Sequence, residues 1–138
     1  VSAPAFHLAL PVDDLDAARG FYTGTLGCRE GRSAPRWVDF DFFGHQLSVH
    51  LAEGAGEEAR NAVDGDAVPV RHFGVILPWD AWTALHTRLA DEDHAFLIAP
   101  KVRFAGQPGE QGTFFLRDPA GNALEFKSFQ DMGRVFAT

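Results

Sequence analysis

Short apolar runs alternate with polar positions along this chain, and the period of alternation changes in an order that occurs twice. Phe6-His7-Leu8-Ala9-Leu10 predicts a short strand ended by Pro11. Asp13 or Asp14 then caps a helix with Leu15, Ala18, Phe21 and Tyr22 on one stripe, and Gly24 and Gly27 end it. A weaker strand is expected around Cys28 to Gly31. Arg36 to Phe43 alternates with period two, placing Val38, Phe40 and Phe42 on an apolar face and Trp37, Asp39 and Asp41 on the other. A turn at Gly44-His45 leads to a strand over Gln46 to Leu51.

From Ala52 to Val68 the periodicity disappears under Gly, Ala, Glu and Asp, which predicts a linker and the least ordered stretch of the chain. The order then returns. Val70 to Leu77 reads as a strand, Asp80 to Leu89 as a helix striped by Trp82, Leu85 and Leu89, and Phe96 to Ile98 as a short strand. Arg103 to Gln111 reads as a loop. The strands Gly112 to Leu116 and Ala123 to Ser128 close a hairpin around Asp118-Pro119-Ala120-Gly121-Asn122. Strand-helix-strand-strand-strand thus occurs twice, a repeat of topology more than of sequence. One helix per sheet covers only one face, so the other needs the second half, a partner chain, or both.

Composition narrows the class. The formal net charge is -7 with no basic run, which argues against nucleic acid. No apolar run approaches a membrane span, and the N-terminus lacks the regions of a signal peptide. A single cysteine, Cys28, excludes an internal disulfide framework and fits a reducing, cytoplasmic setting; after Gly27 it reads as a small buried thiol rather than a nucleophile.

The chemistry gathers on the last strand. Ala123, Glu125 and Lys127 share one face, and Glu125 lies between Leu124 and Phe126. A carboxylate there is costly unless paired, protonated or bound to metal. His45, His86 and His94 read as turn or surface residues. His7 and His72 open the first strands of the two halves, while His50 and Glu125 lie on the last strands. Three imidazoles and a carboxylate suit a divalent first-row metal; a Glu125–His ion pair within the core is the alternative.

Three stretches carry a family resemblance. They are Phe6 to Leu15 with Phe21-Tyr22 and Leu26-Gly27, then Arg71-His72-Phe73-Gly74-Val75, then Phe115 to Glu125 with its Arg-Asp-Pro-Ala-Gly-Asn-Ala-Leu-Glu. Together they resemble the vicinal oxygen chelate superfamily of glyoxalase I, extradiol dioxygenases, fosfomycin-resistance transferases, methylmalonyl-CoA epimerase and bleomycin-resistance proteins. The resemblance implies an α+β fold of two βαβββ modules forming a cupped, mixed eight-stranded sheet around a central pocket. Module one then spans about 4–52, the linker about 53–69 and module two about 70–130. It also implies metal ligands at His7, His72 and Glu125, with Fe(II) or Mn(II) favoured over Ni(II) or Zn(II), a small-molecule substrate and a homodimer. Counted back from the turns, Ser48 and not His50 matches Glu125. His50 is then a fourth ligand or a proton shuttle, so it stands as the catalytic candidate. Arg103 is the candidate clamp for an anionic substituent, against a plain solvated role. With no Glu at the fourth position, the expectation is an extradiol-type dioxygenase of a catechol-like substrate. A glyoxalase-type isomerase or lyase with His50 as base is the alternative, and a non-catalytic bleomycin-resistance-like binding protein the second.

Overall fold

A computed structural model describes residues 5–53, 60–69 and 71–136. The chain divides into two compact units, residues 1–57 with the turn 118–122, and residues 58–117 with 123–138.

In the first unit β1 (His7–Val12) leads to α1 (Leu15–Arg19), then β2 (Arg29–Ala34), β3 (Trp37–Phe42) and β4 (His45–Leu51). Asp14 caps α1 by accepting from the Ala17 amide at 3.0 Å. The helix continues as a π-helical segment over Gly20–Thr25. The sheet order is β1-β4-β3-β2, with β1 parallel to β4 and the other pairs antiparallel. Val38, Phe40, Phe42, Leu47 and Val49 fill the apolar face, joined by fully buried Tyr22, whose ring packs on Phe40 at 5.1 Å. The β3–β4 turn is Phe43-Gly44, one residue earlier than expected. Both residues take positive φ, the backbone a two-residue hairpin requires.

The second unit begins with a finding the sequence reading did not foresee. Residues 60–69 are not a structureless linker. They form an antiparallel hairpin of β5 (Arg60–Val63) and β6 (Asp66–Pro69), turned by Asp64-Gly65 with φ of 43° and 88°. Residues 54–59 of the expected linker lie outside the described residues. Next come β7 (His72–Ile76), α2 (Trp79–Asp91), β8 (Ile98–Arg103), β9 (Gln111–Arg117) and β10 (Ala123–Ser128). Their order, β7-β10-β9-β8, and the parallel β7–β10 pair repeat the first unit. The α+β class and the doubled βαβββ order are therefore as the sequence implied.

Trp82 of α2 fixes the helix on the sheet by donating from Nε1 to the Phe126 carbonyl at 2.9 Å. Phe114 stacks on Phe126 at 5.1 Å beneath it. A second correction concerns β8, which runs to Arg103 instead of ending near Ile98. Arg103 is 1% exposed, so it is neither solvated nor in a loop. It donates from Nη1 to the Val63 carbonyl at 2.6 Å, and its Nη2 lies 3.0 Å from Asp66 Oδ2, an ion pair off the donor axis. Lys101 reaches the same Asp66 oxygen at 2.8 Å. Two cations on β8 thus tie down the acidic hairpin.

Two predictions follow from these contacts. A Cβ at Gly74 would lie 1.5 Å from the Glu125 carbonyl oxygen, so β7 can pair with β10 only if residue 74 lacks a side chain. Gly74→Ala is expected to cost at least about 2 kcal/mol in urea unfolding; an unchanged midpoint would refute this. The second concerns acid. The Lys101 bond, against burial and with help from Arg103, holds Asp66 below its ordinary value of 3.8. A depressed carboxylate stabilises the fold above its unfolded pKa, and the contribution is lost as pH falls through the lower folded value. Amide protection of 62–68 should therefore drop below about pH 3.8, and should be low at every pH in Asp66→Asn. Protection independent of pH in the native protein would count against the clamp.

Candidate functional site

Glu125 is 7% exposed, and β10 sets it beside Gly74 on one side and Phe115 on the other. Its Oε2 accepts from Thr113 Oγ1 at 2.6 Å, and its Oε1 lies 3.2 Å from His72 Nε2. Lys127, two residues along the same face, holds its ammonium 3.9 Å from Oε1. Burial pushes the Glu125 carboxyl up, yet the bonds from His72 and Thr113 and the Lys127 charge outweigh it, and the net shift is downward.

His72 is fixed from its other side. Its Nδ1 lies 2.7 Å from the Pro69 carbonyl, which only accepts, so Nδ1 carries the hydrogen. In the neutral ring, Nε2 then offers its lone pair towards Glu125. The Glu125 bond raises the His72 pKa, against burial and with help from the Pro69 carbonyl. The ring also meets the Phe115 ring edge to face at 5.1 Å. This is the ion pair expected of a metal-free core. Both groups also carry outer hydrogen bonds, from Thr113 and to the Pro69 carbonyl, of the kind that orient metal ligands. The spacing of 3.2 Å suits neighbouring ligands on one ion. Among the described residues no group of three or more His, Cys, Asp or Glu side chains comes together.

In the first unit, register gives the positions that correspond to His72 and Glu125. Ser48 lies between Ala9 and Asp39, as Glu125 lies between Gly74 and Phe115. Exposed His7 pairs with Gln46, as His72 pairs with Ala123. His50 stands further along, between Pro11 and Trp37, and is exposed. Within this unit His7 and His50 are four residues apart in register, on the order of 13 Å of strand, and the fold does not bring them together. Ser48 Oγ donates to Asp39 at 2.5 Å and Gln46 Nε2 to its other oxygen at 3.3 Å, leaving Asp39 satisfied although 7% exposed. An open cleft of about 350 Å³ runs beside Gly31, Asp39, Asp41 and Gln46.

Two candidates take other places. Arg103 is engaged with Asp66 and Val63, which corrects its reading as a clamp in an open loop. Cys28 is buried, and burial, with the Asp41 charge, pushes its thiol up to about 11, consistent with an inert core residue. Sequence reasoning missed Thr113 and the Pro69 carbonyl. Thr113 was in reach, since β9 faces β10 and Thr113 shares the parity of Phe115. The Pro69 contact depends on the unforeseen hairpin.

Comparison with known proteins agrees with this architecture. No curated protein matches the chain. A glyoxalase/bleomycin resistance protein/dioxygenase from Alicyclobacillus acidocaldarius is 35% identical, over 96% of each chain, with a TM-score of 0.84. Lactoylglutathione lyase from Agrobacterium tumefaciens is 22% identical over 99% of this chain and 98% of its own, with a TM-score of 0.67. The fosfomycin resistance protein FosX from Listeria monocytogenes is 16% identical over 98% of this chain and 100% of its own, with a TM-score of 0.69. The last two likenesses are of fold alone. The family model of the Glyoxalase/Bleomycin resistance protein/Dioxygenase superfamily matches residues 5–126, and the chain belongs to that superfamily.

Proposed function

We propose that this chain is a divalent-metal-dependent enzyme, an extradiol-type dioxygenase of a small catechol-like substrate. The supporting observation is the pair of donors in the second unit, His72 Nε2 and Glu125 Oε1 at 3.2 Å, each held from behind by a hydrogen bond. His72 and Glu125 would hold the ion. His7 is proposed as the further ligand because it occupies in β1 the register position that His72 occupies in β7. Two imidazoles and one carboxylate form the donor set of non-haem Fe(II) oxygenases, so Fe(II) is favoured, with Mn(II) next and Ni(II) or Zn(II) after. Bound there, the metal supplies Lewis acidity and open positions for two adjacent oxygens. Ser48 in place of a fourth carboxylate supports a reading with such open positions. It weighs against a glyoxalase-type isomerase, and exposed His50 is not retained as its base.

The protein's own groups do the positioning. Thr113 keeps Glu125 from turning away, the Pro69 carbonyl fixes the His72 tautomer, and Phe115 shields the pair. We also infer a homodimer, because each four-stranded sheet carries a single helix on one face, and a cytoplasmic location, from the lone cysteine. Among the described residues no helix is long and apolar enough to cross a membrane.

Three outcomes are expected. Protein purified without chelators and loaded anaerobically with Fe(II) should hold about one ion per chain, consume oxygen with catechol and form a ring-opened absorbing product. Glu125→Gln should weaken metal binding by at least about 100-fold while keeping the circular dichroism of the fold, and His50→Ala should leave metal content unchanged. Sedimentation should give a dimer, and a monomer over a wide concentration range would refute that. Failure to take up Fe(II), Mn(II), Ni(II) or Zn(II) would replace the enzyme reading with a bleomycin-resistance-like binding protein.

A further inference from the structure

Lys127 is the cation on this sheet face that the metal reading does not use. It lies two residues beyond Glu125 on the same face of β10, in a row that runs Ile76, Lys127, Thr113, Lys101 across β7, β10, β9 and β8. Thr113 is fully buried and bonded to Glu125. Lys101, at the end of the row, is engaged with Asp66 at 2.8 Å. Lys127 is different. Its side chain is 34% exposed, and among the described residues no carboxylate comes nearer to it than Glu125 at 3.9 Å, too long for a direct hydrogen bond. Its other neighbour in the row, Ile76, is a 36% exposed apolar side chain.

A divalent ion on Glu125 outweighs that carboxylate by one charge, and Lys127 adds another. A chain of net charge -7 would thus carry a locally cationic patch, flanked by an apolar side chain, at the ligand pair. This charge pattern suits a substrate that brings its own anion.

Resting on the metal-centred function proposed above, we propose that Lys127 is a substrate-binding residue and that the substrate is an anionic vicinal diol, a catechol-like ring bearing a carboxylate. The two ring oxygens turn towards His72 and Glu125, the carboxylate meets the Lys127 ammonium, and the apolar edge of the ring lies along Ile76. Lys127 sets specificity and takes no part in bond making.

The test is anaerobic titration calorimetry of the Fe(II)-loaded full chain with protocatechuate and with catechol. The native protein should prefer protocatechuate by about tenfold at low salt, the scale of one charge-assisted contact, and added salt should reduce the preference. With each variant brought to the same Fe(II) content, Lys127→Met should abolish the preference and Lys127→Arg should restore it. A native protein with no preference, or a preference that survives Lys127→Met, overturns the assignment and leaves the metal centre standing. Binding of neither diol overturns the metal-centred function and the Lys127 role together. Protocatechuate preference without oxygen uptake overturns the dioxygenase reading alone and supports Lys127 as the anion site.

Discussion

A carboxylate held 93% out of water on a central strand is the constraint to which the second unit answers. Desolvation alone would drive Glu125 towards its neutral form, and the charged form survives because three groups converge on it. Each has a distinct origin. Thr113 comes from the antiparallel neighbour, His72 from the parallel neighbour, and Lys127 from two steps along the same strand. Moving any of these strands by one residue would turn its contribution to the other face and leave the charge uncompensated.

Register therefore matters more than propensity here, and glycine enforces it where β7 meets β10. Only a residue without a Cβ allows the strands to approach at the level of Glu125. The helix side adds a second fixing, since the Trp82 indole bonds to the carbonyl of Phe126, the residue after Glu125. Glu125 is thus braced from its own face by side chains, while the backbone on either side of it is fixed by Gly74 and α2.

Much of this was legible in the sequence because alternation and helical spacing follow directly from which face is buried. The strands around Phe40, Leu47, Phe114 and Leu124 were read from that signal, and so was the pairing of His7 with His72 as corresponding positions. What escaped depended on long-range contacts or on turn chemistry given too little weight. The hairpin at 60–69 carries an Asp-Gly pair, the strongest short signal for a two-residue turn, yet its strands are short and polar and show little alternation. Its anchors, Lys101 and Arg103, lie more than thirty residues away, and no local pattern announces them. For the same reason Arg103 was read as a loop residue, either a clamp for an anion or solvated. An arginine in a polar stretch reads as exposed until its distant carboxylate is known, and a buried guanidinium needs such a partner. The offset of His50 was legible, because counting from the turn already gave Ser48, and not His50, the place of Glu125, and the strand register has the same offset.

The two modules also show how a duplicated scaffold diverges under one electrostatic rule. Both carry a buried carboxylate on the sheet face away from the apolar core, but on different strands. In the first unit it is Asp39 on β3, and the residue in Glu125's place on β4 is Ser48, whose hydroxyl with the Gln46 amide satisfies Asp39 by neutral donors. In the second unit the β9 position holds Phe115 and the acid sits on β10, where the surroundings are an imidazole, a hydroxyl and an ammonium. Neutral donors close the electrostatic account of Asp39 inside its own sheet. Glu125 instead depends on an ionisable partner, His72, whose bond holds the carboxylate charged and raises the imidazole. That difference, one strand's displacement of one carboxylate, makes the second unit the chemically demanding half of the chain.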